Sequence, residues 1–160
     1  MALKYIAGAA LLSYQASRKT TASEMKASDI VRKAICILES QPNEVAKGVV
    51  YFSQAGASSL CEIEGNFTGL NPGKQHGFHI HQYGNLLQGC TTAGPHYNPN
   101  GHTHAGPKYV ARHVGDLGNV QADEQGNGKY RLLDHQVNLF GPQSVVGRSC
   151  VLHRLTDDLG

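Results

Sequence analysis

Residues 76–81 read HGFHIH, residues 89–99 read GCTTAGPHYNP, and residues 104–120 read HAGPKYVARHVGDLGNV. The first stretch lies in a strand, residues 74–82, which the turn chemistry of Asn71, Pro72 and Gly73 introduces. Side chains alternate along a strand. His79 and His81 therefore share one face, about 6–7 Å apart along the chain, and His76, three before His79, lies on the other. About thirty residues follow that are rich in Gly, Pro, Asn and His and carry no periodicity. So long an irregular segment in a compact domain is functional or disordered. Here the histidines decide for functional, because seven of the nine in the chain fall between His76 and His113.

On either side of this segment the chain reads as strands. Residues 30–39 (IVRKAICILE) and 45–54 (VAKGVVYFSQ) are rich in β-branched and apolar residues, with Gln41, Pro42 and Asn43 turning between them. Residues 58–68 alternate apolar and polar positions and stop at Gly69. Strands resume at 116–122, turn at 124–128 and continue at 129–134; a loop around Gly141 and Pro142 leads to a last strand at 147–153. Seven strands and no helix predict an all-β antiparallel sandwich or barrel. Nineteen glycines, no tryptophan and only 16% charged residues suit many short strands and tight turns.

The length of 160 residues suits one domain with a tail. The boundary falls at residue 29, with an extension over 1–29 and the strand-rich domain over 30–160. Residues 5–12 (YIAGAALL) are apolar and are followed by Arg18, Lys19 and Lys26. A secretory signal, a mitochondrial presequence and an unstructured or loosely helical extension all compete here, and the last is preferred. The apolar run is too short to span a bilayer. A formal charge of +2 without a dense basic run argues against nucleic acid and does not repel a small anion.

Cys36, Cys61, Cys90 and Cys150 form no CxxC or CxC pair, which argues against a thiol metal or redox motif. Cys36, Cys61 and Cys150 lie in strand-like runs and read as buried apolar residues. Cys90 sits in a Gly-rich loop that a disulfide would fix, with no obvious partner.

His79 and His81 on one rigid strand can converge on one ion at the usual metal–nitrogen distance of about 2 Å. His96, His104, His113 and Asp116 form a second set, and three imidazoles with one carboxylate match a tetrahedral zinc site. Imidazole without thiolate also suits Cu(II). Spacing leaves His102 and His104 competing for one role. His76 reads as a core or hydrogen-bonding residue and His135 as a surface residue.

The segments GFHIHQYG, GCTTAGPHYNPNGHTHAGP, RHVGDLGNVQAD, VVGRSCVLH and DDLG together resemble copper/zinc superoxide dismutase, from about Ala34 to Gly160. The resemblance implies a Greek-key antiparallel β-barrel, an immunoglobulin-like sandwich, holding copper and zinc. It implies copper ligands His79, His81, His96 and His153, which are also the catalytic residues. It implies zinc ligands His96, His104, His113 and Asp116, with His96 bridging the metals, and it selects His104 over His102. Asp157 is implied to hydrogen-bond ligands of both metals. Superoxide is the implied substrate, disproportionated to dioxygen and hydrogen peroxide. A homodimer, a copper chaperone as a further partner and a cytoplasmic location follow from the same resemblance, and the composition of residues 1–29 keeps a mitochondrial or secreted location as the alternative.

The family continues beyond DDLG with a charged loop and a last strand, which carry a channel arginine, the cysteine that pairs with the Cys90 position, and dimer contacts. No residue of this chain matches that arginine or that cysteine; Cys150 falls where the family has an aliphatic strand residue ahead of His153. A metal-binding form with little or no dismutase activity is therefore the alternative reading. A copper-chaperone domain is disfavoured by the absence of MxCxxC and CxC motifs and by the presence of His153, and a merely structural sandwich by the histidine pattern.

Overall fold

The computed structural model describes residues 31–40 and 44–160, and the extension read over 1–29 lies outside the described residues. Eight strands follow in order: β1 (Val31–Glu39), β2 (Lys47–Ala55), β3 (Cys61–Thr68), β4 (Gln75–His81), β5 (Leu87–Cys90), β6 (Asp116–Gln121), β7 (Gly128–Asp134) and β8 (Ser149–Leu152). Seven of them match the strands expected from alternation. The eighth, β5, and the 3-10 turn Thr91–Ala93 that follows it lie in the segment read as irregular. Leu87 and Gln88 are exposed and Gly89 is half-buried, so this short strand has no apolar alternation by which the sequence could announce it.

Two antiparallel sheets pack face to face. One has the order β1-β2-β3-β7 and the other β6-β4-β8. The chain crosses from the first to the second after β3, back after β6, and across again after β7. This is the antiparallel sandwich expected from the strand pattern, with the Greek-key connection that the resemblance implies. Period-two burial drives the first sheet together: Ala34, Cys36 and Leu38 of β1, Val50 and Phe52 of β2, and Cys61, Ile63 and Phe67 of β3 all face inward. Strand β4 differs, since every residue from His76 to His81 is buried. Phe78 and Ile80 enter the apolar core, while His79 and His81 point the other way, under the chain that runs between β4 and β6. Among the described residues, no helix is long and apolar enough to cross a membrane.

Aromatic rings tie the two sheets. Phe78 of β4 meets Phe67 of β3 edge-on at 5.7 Å and Tyr130 of β7 at 5.3 Å. Phe67 also fills the space two glycines leave. A Cβ on Gly48 would lie 2.5 Å from its ring, and one on Gly65 would lie 2.6 Å from it. Both glycines are needed for close approach rather than for backbone freedom. Gly65→Ala is expected to lower stability by ~1–3 kcal/mol through overpacking. Adding Phe67→Leu should recover part of that loss, so that the double variant falls short of the sum of the singles. Urea unfolding of the metal-free chain measures both.

Candidate metal centre

The register of three strands brings the histidines together. In the central strand β4, His79 lies opposite Asp116 of β6 on one side and Val151 of β8 on the other, with a bulge between Gly77 and His79. His153 follows β8 and donates its backbone N–H to Gly77 O at 2.7 Å. His81 forms an isolated bridge with His96. A ring of backbone hydrogen bonds then closes the β4–β6 connection onto β4: Ile80 N–H to Gly115 O (2.9 Å), Gly115 N–H to Tyr97 O (3.0 Å) and Tyr97 N–H to Ile80 O (2.8 Å). Any side chain at Gly115 would strike the Ile80 carbonyl.

Asp116 is the hub of one donor set. It is fully buried. Its Oδ1 lies 2.9 Å from His96 Nδ1, 3.0 Å from His104 Nδ1 and 3.1 Å from His113 Nδ1. Its Oδ2 accepts the backbone N–H groups of Ala105 (3.2 Å) and His113 (3.1 Å). One carboxylate oxygen cannot accept three well-directed ring hydrogen bonds. Metal–ligand bonds of about 2.0–2.1 Å in a tetrahedron give edges of roughly 3.3–3.4 Å, close to these separations. Burial works to raise the pKa of Asp116. The His96 hydrogen bond, the Ala105 N–H and the charges of His104 and His113 outweigh it and hold the carboxyl well below the usual carboxylate range.

The chemistry of His104 points to a cation. Its Nε2 is 2.8 Å from Asp157 Oδ1 and donates there. In the neutral ring Nδ1 then carries a lone pair that faces Asp116 Oδ1 at 3.0 Å. Two acceptors at that distance repel unless a proton or a metal ion sits between them. Burial alone would lower the pKa of His104, but Asp116 and Asp157 together raise it.

The second donor set is His79, His81, His96 and His153, whose ligand atoms lie within 4.8 Å of one another. The His79 ring stacks on His96 at 3.9 Å and meets His153 at 4.9 Å, and His81 is 5.1 Å from His96. His81 Nδ1 donates to Gly94 O at 2.7 Å, which leaves Nε2 as the nitrogen with a lone pair. His79 Nδ1 is buried with no hydrogen-bond partner. Burial lowers the pKa of His79 despite Asp157 nearby and keeps its ring neutral, as a ligand must be. His79 can also be grouped with His96, His104 and Asp116 by distance alone. His113 fits that set better, because its Nδ1 shares the Asp116 oxygen with the other two rings, whereas the carboxylate nearest His79 Nε2 is Asp157 at 3.4 Å.

Asp157 thus reaches one ring of each set. Asn119 of β6 holds it there through both amide atoms: Oδ1 accepts the Asp157 N–H at 2.8 Å and Nδ2 donates to its carbonyl at 2.9 Å. A cleft of 620 Å³ borders His81, His96, His104, His113 and His153, and one of 330 Å³ borders His79 and Asp157. The remaining histidines stand aside. His76 is buried and donates from Nδ1 to His153 O at 2.9 Å. His102 and His135 are exposed.

Residues 46–160 match the family model for copper/zinc superoxide dismutase. The chain belongs to that family. The family consists of oxidoreductases that act on superoxide and carry copper and zinc. A copper–zinc superoxide dismutase of Cordyceps militaris is 49% identical over 128 residues, covering 80% of this chain and 82% of the relative. An extracellular copper–zinc superoxide dismutase of Onchocerca volvulus is 45% identical over 129 residues, covering 81% and 63%. The crystal structure of the clock protein EA4 superposes with a TM-score of 0.73 at 38% identity, covering 84% of this chain and 81% of that one. The copper and zinc of the family fit the nitrogen-rich, thiolate-free donor sets found here.

Two further residues of this dismutase-family chain escaped the sequence reading. Arg112 is completely buried. Its Nη1 donates to the carbonyls of His113 (2.9 Å), Val114 (3.2 Å) and Asp116 (3.0 Å), and its Nη2 bonds Asp134. Asp134 also accepts the N–H groups of Gln136 and Val137, both at 2.7 Å. One guanidinium thus pins the turn that carries His113 and Asp116 to the end of β7. An arginine beside a histidine in a loop gives no sign of burial; only the absence of other cations from that turn hints at it. Arg112→Met leaves a buried carboxylate and three carbonyls without their donor. It is expected to cost ~3–5 kcal/mol of metal-free stability, measured by urea unfolding, because removing one partner of a buried pair is the expensive change.

Proposed function

We propose that the chain is a superoxide dismutase whose histidines hold copper in one set and zinc in the other, with His96 shared by both. The observation that carries this is the placing of the His96 ring, with Nδ1 2.9 Å from Asp116 on one side and the ring 3.9 Å from His79 and 5.1 Å from His81 on the other. His79, His81, His96 and His153 would hold copper; His96, His104, His113 and Asp116 would hold zinc. Copper, when bound, supplies the one-electron chemistry that oxidises one superoxide to dioxygen and reduces the next to peroxide, and zinc supplies fixed charge. The chain's own part is orientation and proton handling. Gly94 O fixes the tautomer of His81, and Asp157 fixes that of His104. His96 Nδ1 lies on the Asp116 side, so Nε2 would face the copper set and be the ring atom placed to hand a proton to the departing peroxide.

A copper- and zinc-binding form with little or no dismutase activity is the second reading. The lining of the larger cleft contains His, Gln, Asn, Gly and Pro but no lysine or arginine, and an anion is drawn in faster by positive charge. The strand-rich domain is taken to run from residue 30 to 160, with 1–29 as an extension; the pairing of Val31–Glu39 with β2 supports counting that strand in the domain. Resemblance to the family supports a homodimer, copper delivery by a chaperone and a cytoplasmic site of action. The extracellular Onchocerca relative keeps secretion as the alternative.

The test is reconstitution with both metals, followed by metal analysis and a dismutase assay. The expected result is one copper and one zinc per chain, with turnover far above that of free copper. Stoichiometric metal with turnover no faster than free copper would sink the dismutase reading and leave the second. Asp157→Asn is expected to weaken zinc binding by about 10–100-fold in chelator competition. Acidification should remove zinc before copper. His104, with its raised pKa, takes a proton and ceases to be a ligand at higher pH than His79, whose pKa is lowered. Metal content after dialysis at stepped pH reads the order directly.

A further inference from the structure

Two thiols lie away from the metal centre and play no part in it. Cys36, in the middle of β1, is fully buried, and Cys150, in β8, is 4% exposed. They belong to different sheets, but among the described residues β1 and β8 are each at a sheet edge, and they touch across the seam between the sheets. The direction of the β8 backbone matters here. His153 bonds Gly77, and Val151 lies opposite His79, so these residues turn their backbone groups toward β4. Alternation in an antiparallel ladder then turns the N–H of Cys150 toward the open side. There it meets the Cys36 sulfur, and the Cys150 side chain hydrogen-bonds the same atom.

We infer that Cys36 and Cys150 are a redox pair that closes to a disulfide between the two sheets, with hydrogen peroxide as the oxidant. The Cys36 thiolate attacks one peroxide oxygen; the O–O bond breaks, leaving a sulfenic acid on Cys36, and the other oxygen leaves as water after taking a proton. The Cys150 sulfur then attacks the Cys36 sulfur; the S–O bond breaks, the S–S bond forms and a second water departs. Two thiols give up two electrons and two protons, and one peroxide becomes two waters. Cys36 is the attacking sulfur. The Cys150 side chain lowers its pKa, with the Cys150 N–H assisting, against the effect of burial. The donor Cys150 is raised by that same bond and by burial. The thiolate is the nucleophile in such chemistry. Cys61, by contrast, is pushed up to about 12 by burial and by Asp134.

Peroxide is small and neutral, and it reaches the pair when the edge strands part, since edges open at lower free energy than the core. Cys150 lies opposite Ile80, between His79 and His81. The cross-link would therefore clamp the strand beside the copper set to the first strand of the other sheet, and metal would be lost more slowly in the presence of peroxide. Peroxide as the cell's oxidant rests on the dismutase reading, so the test supplies it from outside, where no dismutation is needed.

The metal-loaded chain is treated with a small excess of hydrogen peroxide, denatured, alkylated and mapped by mass spectrometry. Two of the four thiols should be lost, the mass should fall by two hydrogens, and one cross-linked peptide should contain Cys36 and Cys150. A phosphine reductant should reverse the change. The oxidised chain should unfold in urea at least ~10-fold more slowly than the reduced one. Cys150→Val should show neither the link nor the slowing, and Cys36→Ala serves the same purpose should that variant fail to fold. Four alkylatable thiols after peroxide, or a link between any other pair, overturns the proposal. The map of the unaltered chain decides this whatever the variants do.

Discussion

The register of β4 between β6 and β8 is the constraint on which the rest depends. A central strand of an antiparallel sheet is fixed by hydrogen bonds on both sides, and a slip of one residue would turn every side chain to the other face. Here that register sets His79 opposite Asp116 and His153 opposite Gly77. It also sends Phe78 and Ile80 into the core while His79 and His81 face the connection between β4 and β6. The core and the metal centre are thus two sides of one strand. Packing Phe78 between Phe67 and Tyr130 aims the histidines as much as it buries an aromatic ring.

Charge decides what that connection can do. Asp116 and Asp134 are both buried carboxylates, and burying a charge is costly unless it is paired. The two are treated differently. Asp134 is paired permanently, with Arg112 and two backbone N–H groups, and it acts as an anchor. Asp116 faces three imidazoles, those of His96, His104 and His113, and among the described residues no guanidinium or ammonium reaches its carboxylate. Arg112 links the two by bonding Asp134 with one nitrogen and the Asp116 carbonyl with another. A fixed cation therefore holds the loop in shape, and an exchangeable one can complete its charge.

Alternation made the strands legible in the sequence, because each buried its apolar positions on one face. The site was legible in part because histidines are scarce in ordinary strands and loops, so a cluster stands out from composition. What did not show was everything that acts through backbone atoms. Asn119 holds Asp157 by its main chain, Gly115 closes the Ile80–Tyr97 ring, and Arg112 grips three carbonyls. None of these has a spacing rule, since the partners are set by tertiary approach. The Cys36–Cys150 contact was hidden for the same reason: the two strands lie at opposite ends of the chain and meet only because each forms a sheet edge.

The connection between β4 and β6 is the least self-sufficient part of the described chain. Apart from β5 it has no strand of its own, and it buries few side chains compared with either sheet. Local bonds such as Asn98 with His102 hold its bends, but the inner surface is a ring of imidazoles around a carboxylate. Such a network is half-satisfied by protons alone, and partly satisfied polar clusters are costly in a low-dielectric site. A cation that satisfies all four donors would remove that cost and order the loop in one event. Metal binding would therefore add to the stability of this segment, because its ligands come from positions far apart in the chain. The arginine clamp holds the turn of His113 and Asp116, whereas His96 is held by its bridge to His81 and His104 by Asp157. This division explains why one turn of the site is built on a buried ion pair and the remainder on histidines.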